Sequence, residues 1–323
     1  MFRHLGLLIE PSDHCSDAAI QALEFAFENS ARISLWYAQT LPEDPHAQAQ
    51  CAFAAREVLA RTEAAAMAMG IPCRVTALFS TQPAHEVLNA VRLSGCDTIV
   101  TVRGPAETAV PGSKAFDLRA LATVPVLTFG IGATPPRIPA LDVLRTEYRR
   151  HAALLRQWLC VLSDQDASNA QSLRAHCAGL RETVEHIRST VHPLQRRKEL
   201  TLYGRLRRRV ESVRAEIDEV LLLGRREHEL LGELELLVAR PEGGVEAAEV
   251  LSVLDRYAQR VWTIRGREEG IILAAARRHL TAADWERLHA EFIHACRTGD
   301  AEKRADRTGL DGARPETGTN RSL

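Results

Sequence analysis

Apolar positions along the chain follow one rule up to about residue 130 and another beyond it. In the first stretch, short apolar runs alternate with longer amphipathic ones. "HLGLLI" (His4 to Ile9), "RISLWYA" (Arg32 to Ala38), "CRVTALF" (Cys73 to Phe79), "DTIVTV" (Asp97 to Val102) and "VPVLTF" (Val124 to Phe129) have the length and β-branched content of strands. Between them, "SDAAIQALEFAFENS", "AREVLARTEAAAMAMG" and "PAHEVLNAVRLSG" place apolar residues at three- and four-residue spacing, with a capping residue or a glycine stop. Strand and helix in strict alternation predict a doubly wound α/β domain, a parallel sheet with helices on both faces. Such a sheet takes ligands at the carboxyl ends of its strands.

The rule changes at "GIGATPPRIPALD" (Gly130 to Asp142), whose three prolines and two glycines can continue neither a helix nor a central strand. Beyond it only long helical periodicity remains. It predicts helices over about 140–162, 170–209, 210–239 and 245–278, a short last one over 282–297, and a kink or break at Pro193. Four such helices close naturally into an up-down four-helix bundle. The expected organisation is an α/β domain over 1–131, a linker over 132–139, a bundle over 140–297 and a polar, disordered tail over 298–323.

Composition changes this picture little. The 323 residues carry a formal net charge of −1, which favours neither nucleic acid nor an anionic membrane surface as a partner. The basic run "RLRRRVESVR" (Arg205 to Arg214) reads as the solvated face of a helix. No segment reaches the roughly 18 apolar residues of a membrane span, and "MFRHLGLLIEPSDHCSD" turns acidic too early for a signal peptide. Seven scattered cysteines, none at CxxC spacing, fit a reducing cytoplasm rather than a disulfide framework.

Over residues 1–130, the segment "STQPAHEVLNAVRLSGCDTIVTVRG" and the closing "ATVPVLTF" resemble the universal stress protein family, as does the order of elements. The resemblance implies a glycine-rich phosphate loop in nucleotide-binding members. Here that stretch is "TVRGPAETAVPGSKAFD". Gly104 and the Gly112–Ser113 pair remain, but Val102 stands at the first glycine position and the interval is shorter by two residues. Glu10 follows the first strand, where such members place an acidic residue. ATP or AMP binding through Glu10, Gly104, Gly112 and Ser113 is therefore one expectation; a structural or dimerising domain is the other.

In the second half, "REEGIILAAARRHLTAADWERL" resembles the fourth helix of the hemerythrin-like (HHE cation-binding) family. "LRTEYRRHAALLRQWL", "VHPLQRRKELTLYGRL" and "REHELLGELELL" resemble its first three. That family implies a diiron cage of histidines and carboxylates projecting from four helices. Carried over, the ligand positions fall on Tyr148, Leu194, Lys198, His228, Ile264 and Glu268. Only His228 and Glu268 keep a ligating side chain of the family's type, so any residual metal site is expected there. A second-helix register shifted by one would place Gln195 and Glu199 instead.

The apolar stripes Leu141, Leu144, Tyr148, Leu155, Leu159 and Val261, Ile264, Glu268, Ile271, Ile272, Ala275 turn Tyr148 and Glu268 inward, and Lys198 lies with Val191, Leu194 and Leu202. A lone carboxylate there would cost several kcal/mol or stay protonated. The expectation is that the Lys198 ammonium replaces the metal's charge and pairs with Glu268, with His228 and Tyr148 completing the hydrogen bonds. The competing expectation has Lys198 reaching solvent. His151, one turn beyond Glu147, and the pair His186 and His192 are alternative metal-ligand candidates, or simply helix-surface histidines.

These readings combine into a non-enzymatic, stress-associated binding or regulatory protein without a cofactor, homo-oligomeric through the α/β domain, with an unidentified protein partner. The alternatives are an oxygen, nitric oxide or iron sensor with non-haem iron at an altered site, and an adenine-nucleotide switch.

Overall fold

A computed structural model describes residues 2–9, 16–103, 118, 120–130, 137–163, 170–240 and 246–311. The first half forms a five-stranded, wholly parallel sheet of β1 (His4–Ile9), β2 (Arg32–Thr40), β3 (Cys73–Ser80), β4 (Thr98–Arg103) and β5 (Val126–Gly130). The strand order is β3-β2-β1-β4-β5, so chain direction across the sheet reverses between β1 and β4. Helices α1 (Ser16–Glu28), α2 (Pro45–Ala68) and α3 (Pro83–Ser94) cover it. One face packs Leu5, Leu7, Leu35 and Tyr37 with Leu23 and Leu59; the other packs Leu8 and Trp36 with Val87 and Val91. Both faces are covered, so β1 and most of β2 are continuously buried, as a central parallel strand must be.

The second half is all-helical: α4 (Pro139–Ser163), α5 over 170–209, α6 (Arg214–Ala239), α7 over 247–279 and α8 (Ala282–Asp311). Successive helices run antiparallel. Trp158 meets Thr183 while Tyr148 meets Lys198; Arg181 meets Val238 while His192 meets Glu227; Arg240 meets Glu249 while Arg267 meets Glu216. Helix α8 lies over α4 and α5. Among the described residues, no helix is long and apolar enough to cross a membrane.

Three expectations are corrected here. Pro193 does not break α5. The π-helical turn Ile187–Val191 precedes it, His192 N–H bonds to the Ile187 carbonyl, and the widened turn accommodates the proline ring within one continuous helix. The expected disordered tail begins too early, because α8 continues to Asp311. Its polar sequence "AEKRAD" is made largely of good helix formers, which need no apolar face to extend an existing helix. The segment 210–239 starts later, since Val210 is extended and a 3₁₀ turn, Glu211–Val213, precedes α6.

The start of α8 explains the chain's "LTAADW" motif. Thr281 Oγ1 accepts from Asp284 N–H at 3.2 Å, and Asp284 accepts from Thr281 N–H at 3.0 Å, a reciprocal cap that satisfies the helix's first donors. Arg209, at the end of α5, holds the same carboxylate from the other side. These hydrogen bonds from Arg209 and Thr281 keep Asp284 well below the usual carboxylate range.

The halves are packed together through α2. Its alanine-rich sequence faces the sheet on one side and α7 on the other. A Cβ at Gly266 would fall 1.9 Å from the Arg61 carbonyl oxygen, and one at Gly270 would lie 3.0 Å from Ala65 Cβ. Only glycines four residues apart let α7 come this close. Ion pairs line the seam: Glu57 with Arg156, Arg61 with Glu269 at 3.4 Å, Arg56 with Asp255 at 2.7 Å, and Asp17 with Arg145 and Arg277.

Candidate functional site: a buried polar centre in the bundle

Lys198 on α5 and Glu268 on α7 meet in the interior, exposed by 1% and 0%. Leu194 and Ile264, one turn earlier on each helix, are buried with them. The Lys198 ammonium donates to Glu268 Oε1 and, at 2.7 Å, to the Tyr148 hydroxyl, which donates to Glu268 Oε2 at 2.6 Å. Tyr203 donates to Glu268 Oε1. Lys198 Nζ also sits 5.2 Å from the centre of the Tyr148 ring and 5.6 Å from that of Tyr203. Every polar group in this cluster has a partner, as burial requires.

Tyr203 is absent from the sequence reading because it lies five residues after Lys198, which α-helical periodicity places on another face. The π-helical turn Glu199–Tyr203 follows Lys198 directly and brings the pair onto one side. Glu268 opens a similar turn, Glu268–Ile272. Burial lowers the Lys198 pKa, against the pull of Glu268, and burial together with the Glu268 charge pushes both phenols well above their usual value. The phenols therefore remain protonated donors.

A second buried carboxylate lies beside this cluster. Glu227 on α6 is held by His192 Nε2 at 3.5 Å, by His228 Nδ1 at 3.1 Å and by the Tyr257 hydroxyl. Burial opposes its charge, but the hydrogen bonds of His192 and His228 outweigh burial and keep it ionised well below the usual range. The same contact with Glu227 raises His228 to about 8. His151 links the two sides. It accepts from Arg265 at Nδ1, 2.8 Å away, and its Nε2 is 3.2 Å from Tyr257 OH. Burial, and then the Arg265 charge, hold His151 neutral far below its ordinary pKa. Glu227 and Glu268 both line a cavity of about 40 Å³, space for a few waters at most.

The structure thus brings together Tyr148, Leu194, Lys198, Ile264 and Glu268, but not His228. The inward stripe of α6 is Val220, Leu223, Glu227, Leu231 and Leu234, which leaves the His228 side chain half-exposed. That stripe was readable at three- and four-residue spacing, and it passes through Glu227. His228 and Glu268 therefore form no joint metal site. Gln195 and Glu199 are hydrogen-bonded to each other at 3.2 Å, at the border of the centre. Glu147 pairs with Arg150 instead of His151, and His186 does not join the His192 group.

The diiron centre that the sequence resemblance implies does not fit these residues. Both Glu268 oxygens are already engaged by an ammonium and two phenols, and an inserted cation would meet the Lys198 charge at contact distance.

Comparison with known proteins bears on the other half. Over two fifths of its length, the chain is similar to universal stress proteins. A family member from Burkholderia pseudomallei is 22% identical, with a TM-score of 0.34, over 39% of this chain and 95% of that one. A universal stress protein from Archaeoglobus fulgidus in complex with dAMP is 18% identical, TM-score 0.32, over 40% and 97%. A universal stress protein in complex with cAMP is 15% identical, TM-score 0.32, over 41% and 98%. No family model matches the chain, and no curated protein does. At these identities and TM-scores the likeness assigns no role, and the helical half lies outside it.

Glu10, Gly104, Gly112 and Ser113 lie outside the described residues. The strands that Glu10 and Gly104 follow, β1 and β4, are neighbours at the point where strand order reverses. Open parallel sheets form their ligand crevice at such a point.

Proposed function

We propose that the chain is a non-catalytic, stress-associated binding or regulatory protein, in which a hemerythrin-like bundle holds an ion pair where a diiron centre would stand. One observation carries this reading: Glu268, fully buried, has its charge balanced by Lys198 and its oxygens filled by Tyr148 and Tyr203. A cation fixed on the protein gives the bundle charge neutrality without a cofactor, at the cost of the open coordination positions that oxygen or nitric oxide chemistry requires. Protein purified with iron supplied and no chelator is expected to carry far less than two irons per chain and no oxo-bridge absorption. Two irons per chain, lost in Glu268→Gln, would overturn the reading and favour the sensor alternative.

A second reading assigns adenine-nucleotide binding to the α/β half. It is supported by the reversal of strand order between β1 and β4, immediately before Glu10 and Gly104. Saturable thermal stabilisation by AMP or ATP, abolished in Glu10→Ala, selects it; an unchanged melting curve removes it.

A further inference from the structure

Among the described residues, one set of three metal-type side chains converges: His192, Glu227 and His228, with one nitrogen of each ring and a carboxylate oxygen within 4.8 Å of one another. We infer that these three side chains bind a single divalent transition ion of the zinc type, at a site distinct from the Lys198–Glu268 pair. Two imidazoles and a carboxylate are the donor set such ions prefer, and three protein ligands leave one position for solvent.

The surroundings suit this role. Glu227 is buried, with its two carboxylate oxygens facing His192 and His228 at 3.5 and 3.1 Å. Glu227 also accepts from Tyr257, as a metal-binding carboxylate accepts from an outer partner. His228 Nδ1 lies 2.8 Å from the Gly224 carbonyl and 3.1 Å from Glu227, two acceptors that hold a proton on Nδ1, so an ion would be met by Nε2 once that nitrogen has lost its own proton. His192 is mostly buried and His228 half-exposed, so the site is rooted on one side and open to entering ions on the other.

The rings now stack, with centroids 3.9 Å apart. Tetrahedral coordination at about 2.0–2.2 Å separates ligand atoms by roughly 3.3 Å. Closing the set from within 4.8 Å needs a contraction of up to about 1.5 Å. The opposing description is a proton-held pair, in which His228 merely neutralises Glu227. It predicts no stoichiometric metal binding.

The test is calorimetric titration of zinc chloride into the full chain after chelator treatment. One ion per chain is expected. His192→Asn and His228→Asn should each weaken it by more than the roughly 10–100-fold that loss of an outer hydrogen-bond partner costs. His46→Asn, on α2 and exposed, should leave binding unchanged. His228→Asn is the decisive variant, since a half-exposed side chain can be changed with the fold kept, as its circular dichroism melt would verify. No binding at one equivalent, or equal binding by both histidine variants, overturns the site. Elemental analysis of untreated protein then distinguishes zinc from ferrous iron as the resident ion. A two-iron content sensitive to Glu268→Gln would instead overturn the ion-pair reading of the bundle centre.

Discussion

Glu268 and Glu227 face one small cavity from neighbouring helices and solve the same electrostatic problem in opposite ways. Glu268 is neutralised by a lysine and hydrogen-bonded by two tyrosines; Lys198 and Tyr203 are fully buried and Tyr148 is partly so. Glu227 is held by two imidazoles, one of which, His228, reaches the surface and can exchange its proton. The first arrangement stabilises one state of the bundle. The second leaves a charge whose partner can change. Burial alone therefore does not decide whether a carboxylate is structural or functional; the exchangeability of its partners does.

The sharpest way to break this contrast is to remove one partner of the closed pair. Lys198→Met should cost about 3–5 kcal/mol in denaturant unfolding, because it strands a buried carboxylate. Lys198→Met/Glu268→Met should recover much of that loss. The recovery stays incomplete, since Tyr148 and Tyr203 then both lose their acceptor, and adding Tyr203→Phe at the more buried of the two should regain a further ~1 kcal/mol or more. Equal losses in the single and double variants would mean that Lys198 and Glu268 are not coupled.

Gly266→Ala tests whether the closed pair depends on the seam with α2. The new methyl would overlap the Arg61 carbonyl oxygen, and forcing the helices apart should cost about 1–3 kcal/mol. The comparison is sharpened if this variant weakens the coupling between Lys198 and Glu268 but leaves zinc affinity at His192, Glu227 and His228 unchanged.

The smallest effect is the pH dependence of the open carboxylate. His228 is raised to about 8 from an ordinary 6.5, so its contribution is complete below about 6.5 and disappears as pH rises through 8. Glu227 is shifted downward, so its contribution holds above its ordinary 4.5 and is lost only on strong acidification. The stability gap between the parent chain and His228→Asn, read by chelator-treated unfolding curves, should be widest near pH 6 and close near pH 9. Solvent screening at this half-exposed ring keeps the gap below about 1 kcal/mol. A gap that widened with pH would show that His228 acts through something other than its charge.

How much of this was legible in the sequence depended on whether local periodicity survives in the folded chain. Strands such as His4–Ile9 announce themselves by an apolar run that only a two-sided burial explains, and the start at His4 and end at Ile9 follow directly. Lys198 and Glu268 were legible for a related reason: each interrupts an apolar stripe, and two interruptions of opposite charge point to each other. Tyr203 was not, because a π-helical turn changes the spacing of faces and leaves no mark in an α-helical pattern. The family resemblance points to His228 and not to Glu227. The stripe through Val220, Leu223 and Leu231 selects Glu227. Pro193 is a parallel case to Tyr203, since a wide turn absorbs the clash that normally breaks a helix.

Helix α2 belongs to two layers at once, and that has a consequence for how the chain can be divided. A helix with the sheet on one side and Gly266 and Gly270 on the other is packed on two faces, and positions such as Arg56 and Met67 stay exposed. Its alanines are fixed by two neighbours, not one. Expressed separately, the sheet half would present to water the alanine face that α7 now covers, and the helical half would present the bare glycine backbone. The chain inherits as a single unit what its sequence spells in two grammars, and a cut through the proline-rich stretch at 132–139 would leave the stronger join between the halves still asking for its partner.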